Sequence, residues 1–173
     1  LDGRYYQVDG AQVRPQPLQP GGIPFWIAGG GEKKTLRTAA QYAQYTNFDG
    51  SPAGFAHKSE VLRGHCADLG RDFDSIVRSA NYNVVIGRDQ AEVDERLAWI
   101  GEHYRKATPS KAESTLDGFR TGPLVGTPEQ IVEKLRELEG LGMTYAITYF
   151  VEAAYDRSGI ELFEREVVPA LRG

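Results

Sequence analysis

The 173-residue sequence predicts an α/β fold built on a parallel sheet. Three observations carry that expectation. Short runs rich in β-branched and aromatic residues alternate along the chain with stretches of helical periodicity, four strands in all, and this alternation calls for parallel strands joined by helical crossovers. Helical stretches open on cap chemistry: Ser51 before Pro52, Asp89, and Thr127 before Pro128. The third strand places Ser79, Asn81 and Asn83 on one face and Ala80, Tyr82 and Val84 on the other. A strand in an open doubly wound sheet is covered by helices on both faces and is apolar on both, whereas a barrel strand can line a polar, ligand-facing interior. The pattern therefore favours part of a TIM (β/α)8 barrel. A whole barrel takes about 250 residues, so this chain supplies half the strands of one.

The elements follow in order. Residues 14–22 hold three prolines and two glycines and read as a surface connection. Residues 23–28 are short and apolar, a buried strand; 33–42 carry Leu36, Ala39 and Ala40 at helical spacing. Residues 44–48 form a second strand. The helix begun by Ser51-Pro52 aligns Phe55, Ser59, Leu62, Cys66 and Leu69 until Gly70 ends it, and Arg71-Asp72 then suits turn and cap chemistry. Residues 76–86 are the third strand, and Val93, Leu97 and Ile100 mark the helix capped by Asp89. The polar stretch 106–123, broken by prolines and glycines, reads as a long loop. Thr127-Pro128-Glu129-Gln130 combines an N-cap threonine, a first-turn proline and a capping-box glutamine ahead of Ile131, Val132, Leu135 and Leu138. Residues 143–151 are the last strand, and 160–171 a closing helix broken by Pro169.

Composition narrows the function. Hydrophobic residues make up 40% of the chain, enough for a core, and the length suits one domain over residues 1–173, with 1–22 an extended connection. The net charge of −4 comes from interspersed acids and bases with no basic stripe, which argues against nucleic acid as a partner. No apolar run approaches the roughly 18 residues of a membrane span, and LDGRYYQVDG at the start has neither a basic nor an apolar leader region, so the expectation is a soluble, cytoplasmic protein with no membrane partner. The opening on Leu1, in a Tyr-rich extended segment, is how an internal piece begins. Cys66 is the single cysteine and reads as a small packing residue. His57 and His65 lie eight apart on a helix away from the strand ends and His103 late on another; none has metal-ligand spacing, and no metal is expected.

The first strand runs directly into Gly29-Gly30-Gly31 and then a helix. Bare glycine backbone lets a ligand approach closely, and a helix start offers unpaired N–H groups and a positive dipole end, a combination that favours a phosphate. Triglycine alone is not specific. A Walker loop needs glycine at Lys33 and a dinucleotide fingerprint needs one at Lys34, so neither motif is present.

In combination, PFWIAGGGEKKTLRTAAQYAQYTNF, HKSEVLRGHCADLGRD, GTPEQIVEKLRELEGLGMTYAI and LFEREVVPAL resemble the luciferase-like monooxygenase superfamily, and within it the coenzyme F420-dependent oxidoreductases. The similarity spans essentially the whole chain but only the family's C-terminal half, strands five to eight. It implies a (β/α)8 barrel of the bacterial luciferase-like type, with the loop after strand five holding the phosphate-bearing side chain of coenzyme F420 or, alternatively, FMN. The matching residues are Ala28, Gly29, Gly30 and Gly31, with Glu32 and Lys33 opening the helix. The family commonly reads Ala-Asp where this chain has Ala43-Gln44, which removes any role resting on that carboxylate.

Barrel sites gather at the C-terminal ends of strands, which here singles out Asn47, Asp49, and Glu152 as candidates for touching a small-molecule substrate. Asp49 equally suits the turn into Ser51-Pro52, and Glu152 an exposed loop carboxylate. Tyr149 and Tyr155 either line an aromatic pocket or pack. The resemblance implies hydride transfer between the deazaflavin and a small organic substrate, with an FMN-dependent monooxygenase as the alternative. A non-catalytic half-barrel that self-associates is a third reading, because a four-stranded piece exposes two edges and an inner face unless an N-terminal half-barrel or a second copy covers them.

Overall fold

In the computed structural model the described residues are 2–12 and 14–172. Leu1, on which the internal-piece expectation rests, lies outside them, as do Val13 and Gly173. The strands are β1 (Trp26–Ala28), β2 (Tyr45–Asn47), β3 (Val77–Ile86), β4 (Leu124–Gly126) and β5 (Tyr145–Tyr149). The helices are α1 (Thr35–Tyr42), α2 (Pro52–Leu69), α3 (Gln90–Ala107), α4 (Ala112–Arg120), α5 (Pro128–Gly140), α6 (Ser158–Leu162) and α7 (Val168–Leu171). Every strand pairing is parallel: β1 with β2, β2 with β3, and β3 with both β4 and β5. The expected α/β fold with a parallel sheet is what the chain adopts.

Local chemistry explains most boundaries. Ser51 Oγ accepts from the Gly54 amide and Pro52 occupies the first turn of α2, while Gly70, at φ +65°, ends it in the left-handed region that glycine tolerates. Arg71 then reaches back to the carbonyls of Ala39, Ala40 and Ala43, closing the C-terminus of α1, and Asp72 accepts from the Asp74 amide. Asp89 caps α3 through the Glu92 amide. Thr127 and Gln130 form the expected capping box of α5.

β3 is the spine of the sheet. Ala80, Tyr82, Val84 and Ile86 are at most 2% exposed and pack with Leu36, Phe55, Leu62, Leu124 and Leu138 from the flanking elements. Each fully buried Val, Leu, Ile or Phe among them contributes roughly 1.5–3 kcal/mol. Cys66 belongs to this core, and burial pushes its thiol pKa up, as suits a packing residue. Asn81 and Asn83 point to the other face and are exposed, while Val85, further along that face, is covered by α3 and α4. The polar and apolar sides of β3 are thus the ones its alternation implies.

The structure departs from the sequence reading in four places. The stretch 106–123 is largely helical: Ala112, Leu116 and Phe119 of α4 are buried against α3. Pro109 sits in a short 3-10 turn before that helix, and Gly118 is tolerated within it because packing on the opposite face holds the helix in place. A further strand, β4, precedes the Thr127 cap, so the described sheet has five strands. The first strand is not buried, since Ile23, Phe25 and Trp26 are 67%, 62% and 42% exposed, on a strand paired along one edge only. The closing helix is interrupted by a π-turn over residues 163–167, directly before the segment in which Pro169 lacks an N–H to donate. No helix is long and apolar enough to cross a membrane among the described residues.

Candidate functional site

All strands point the same way, so Ala28, Asn47 and Tyr149 close their strands toward the same end of the sheet, while β3 runs on past Ser79, the partner of Asn47, to Ile86 beside Gly126. At the end of β1 the glycines do three different jobs. Gly29, at φ +126°, donates its amide to the Asn47 carbonyl at 2.8 Å, extending the β1–β2 ladder, so that amide is not free for a ligand. Gly30 and Gly31 donate to no acceptor among the described residues. A Cβ on Gly31 would stand 2.8 Å from Thr35 Oγ1, so a side chain there must displace Thr35 at the start of α1. A Cβ on Gly30 would meet only Lys58, at 3.5 Å from its Cε.

Lys58 is a basic group that sequence spacing did not single out. It lies on α2, and the packing of α2 against α1 brings it beside the loop. Its ammonium donates to Glu32 Oε1 at 2.6 Å, and His57 Nε2 meets the same oxygen at 2.9 Å. These partners hold the Glu32 carboxyl below the usual carboxylate range, Lys58 first. His65 Nε2 lies 2.7 Å from the Glu32 carbonyl. The two histidines thus stand against the strand-end loop, not remote from it as their place on a helix suggests. Glu32 itself anchors the loop to α2. Lys33 is exposed in the turn before α1, whose first helical residue is Thr35.

Across the open face of the sheet runs a polar row. Asn47 Nδ2 donates to Ser79 Oγ and Asn81 Oδ1, both at 3.0 Å, while Ser79 Oγ donates to the Thr46 carbonyl at 2.8 Å. Register places Ser79 beside Tyr145, Asn81 beside Ile147 and Asn83 beside Tyr149. Below the row, Trp26 stacks on Tyr45 at 4.8 Å between centroids and meets Tyr145 edge-on at 5.2 Å. Trp26, Tyr145 and Tyr149 remain 42%, 46% and 51% exposed, so an aromatic and amide-lined face stands uncovered.

Asp49 serves the turn. Its carboxylate accepts from the amide and the hydroxyl of Ser51, both at 2.8 Å, which lowers its pKa, and a Cβ on Gly54 would overlap it. Gln44, standing where the resemblance leads one to expect aspartate, accepts from the Phe25 amide at 2.8 Å and so ties β2 to the residue before β1.

Glu152 is not an exposed loop carboxylate. It is 5% exposed in the 3-10 turn after β5, and its Oε1 lies 3.3 Å from Arg96 Nη1. Arg96 also donates to Glu92 Oε1 at 2.8 Å and Ser158 Oγ at 2.7 Å. Arg88, through its side chain and amide, and then Arg96 depress the Glu92 carboxyl to about 2. The site residues therefore fall into two groups: the glycine loop with Asn47 and Asp49, and Glu152 with Arg96. Among the described residues no three His, Cys, Asp or Glu side chains come together as a metal site would require.

The fold is thus a parallel α/β sheet whose first strand ends in glycines, with Lys58 of α2 beside them. Residues 1–145 match the family described as luciferase-like monooxygenase, and the chain belongs to that family. Among curated relatives, an FMNH2-dependent dimethylsulfone monooxygenase of Pseudomonas fluorescens is 23% identical over 98% of this chain and 51% of its own length. A second of that description, from Pseudomonas putida, is 24% identical over 98% and 52%. The chain thus spans about half the length of the curated relatives it matches. Among solved structures, coenzyme F420-dependent tetrahydromethanopterin reductase from Methanopyrus kandleri superimposes with a TM-score of 0.73 at 21% identity, over 99% of this chain and 57% of that one. EDTA monooxygenase from Chelativorans sp. BNC1 gives 0.70 at 18% identity, over 99% and 49%. At these identities the superpositions establish the fold.

Proposed function

We propose that the chain is the C-terminal half of a (β/α)8 barrel, strands five to eight, of an F420-dependent oxidoreductase that transfers a hydride between the deazaflavin and a small organic substrate. The observation that carries the cofactor reading is the pair of unpartnered amides at Gly30 and Gly31, with the Lys58 side chain beside Gly30. A phosphate suits that loop: two N–H donors on residues without side chains of their own, and one cation, Lys58, held by Glu32 beside Gly30. The cofactor, when bound, supplies the hydride chemistry. The chain's own residues bind and orient. Gly30, Gly31 and Lys58 fix the phosphate-bearing end, and Asn47, held by Ser79 and Asn81, presents an amide to whatever lies on the open face.

The half-barrel reading is supported by the uncovered face of Trp26, Tyr145 and Tyr149 and by the share of each relative's length that this chain matches. The remaining strands come from a preceding part of the same polypeptide, or from a second copy of this chain. Light scattering of the 173-residue chain alone is expected to show association; a stable dilute monomer would contradict it.

A second reading has its own support. The curated relatives are named FMNH2-dependent monooxygenases, so reduced FMN with oxygen is the alternative chemistry at the same loop. Fluorescence titration of the intact polypeptide with F420 and with FMN separates the two. Saturable binding of F420 supports the first; tight FMN binding with no response to F420 rejects it in favour of the second.

A further inference from the structure

One edge of β3 is paired in two separate stretches. β2 lies along it as far as Ser79, and β4 takes over from Val84. The Phe48 amide reaches the Ser79 carbonyl and the Gly87 amide the Gly126 carbonyl; Ser79 and Gly87 are an even number of residues apart, so both act along the same edge. Between these contacts no hydrogen bond joins the Asn81 backbone to Phe48, Asp49 or Gly50. The interruption holds a cleft of about 170 Å³, whose walls include Gly50 and Ser51, which follow β2, and Gly118 and Gly122, which precede β4. Drug-sized ligands take roughly 300–1,000 Å³, so this space suits a smaller molecule.

The lining carries no acidic or basic side chain. Two of its polar groups are already engaged: Ser51 Oγ donates to Asp49 Oδ1 and accepts from the Gly54 amide, and the Tyr82 hydroxyl donates to Met143 Sδ at 3.1 Å. Asn81 and Asn83 remain. Both are exposed and, two apart on one strand, they share a face. Asn81 Oδ1 accepts from Asn47 Nδ2 while its own Nδ2 has no partner among the described residues, and the Asn83 side chain has none on either atom. An unengaged carboxamide offers a donor and an acceptor side by side, and a second donor and acceptor at matching spacing satisfies both at once, as in the two-bond pairing of asparagine with adenine. A carboxylate lacks the donor and an ammonium the acceptor.

We propose that this cleft binds a small uncharged primary carboxamide. Its amide pairs through two hydrogen bonds with the Asn83 side chain, Asn81 Nδ2 stands as a further donor on the same face, and its short carbon tail takes the space left open by Gly118 and Gly122. The cleft shares no residue with the glycine loop, so the site stands whichever cofactor that loop holds.

Ligand-observed saturation-transfer NMR on the intact polypeptide tests this, with propionamide as the probe and sodium propionate and propylammonium chloride as charged counterparts of similar size at equal ionic strength. Saturable binding of propionamide with a Kd on the order of millimolar is expected, and none for the two ions. Asn83→Leu removes the pairing amide. Gly118→Leu fills the cleft from its wall: a Cβ there meets nothing within 4 Å, and leucine suits a helix better than glycine, so the fold is kept. Each variant is expected to weaken propionamide binding about tenfold, with the melting temperature of Gly118→Leu no lower than that of the parent chain. Where Asn83→Leu does not fold, Gly118→Leu decides. No saturable signal, an equal response to either ion, or undiminished affinity in a folded variant overturns the proposal.

Discussion

Arg96→Met is expected to destabilise the chain by about 3–5 kcal/mol, the usual result of stripping the partner from a buried ion pair. Arg96 is 11% exposed at its side chain and lies within 3.7 Å of carboxylate oxygens of Glu92, Glu152 and Asp156. The first two of these acids are themselves mostly buried, with side chains 18% and 6% exposed. Methionine fills a similar volume but donates nothing, leaving the buried Glu152 carboxyl with neither oxygen paired. For a chain of this size each kcal/mol moves Tm by roughly 2–4 °C, so a fall on the order of 6–20 °C is expected in a thermal melt. The double variant Arg96→Met, Glu152→Gln is expected to recover part of that fall, because it removes the carboxyl that the single variant leaves without its partner. A loss below about 1 kcal/mol in the single variant, the range of an exposed pair, would show that the cluster is solvated.

Gly30→Val carries the largest expected effect on function. In the free chain the substitution is mild: Gly30 does not need the left-handed region, and its Cβ would make an ordinary contact with the Lys58 side chain. With a phosphate on the Gly30 and Gly31 amides the branched side chain stands between ligand and lysine. Cofactor affinity is expected to fall by about tenfold or more while the melting temperature stays within a few degrees. Gly31 is a poorer test, since even alanine there must displace Thr35 and alter the start of α1. Unchanged affinity in Gly30→Val would remove the loop from the cofactor site.

What could be read from the sequence was governed by range. The start of α5 was legible because Thr127, Pro128 and Gln130 act on one another within a single turn. The facing of Asn81 and Asn83 away from Ala80, Tyr82 and Val84 was legible because strand alternation is a local property. Helix α4 was not, because Pro109 and Gly118 speak against a helix locally and only the docking of Leu116 and Phe119 on α3 overrides them. The glycine loop was visible as a motif, yet the withdrawal of the Gly29 amide into the sheet depends on Asn47, and Lys58 and His57 reach the loop from a different helix. Glu152 was legible as a strand-end acid. Its burial was not, since Arg96 lies on a helix more than fifty residues earlier in the chain.

On the proposed function, the unpaired backbone donors after β1 hold the anionic end of a redox cofactor. A crystal structure of the intact polypeptide with bound F420 tests it most directly. The expected result is a cofactor phosphate within hydrogen-bond distance of the Gly30 and Gly31 amides and of Lys58 Nζ. A phosphate anchored elsewhere, with that loop facing only solvent, would contradict the account.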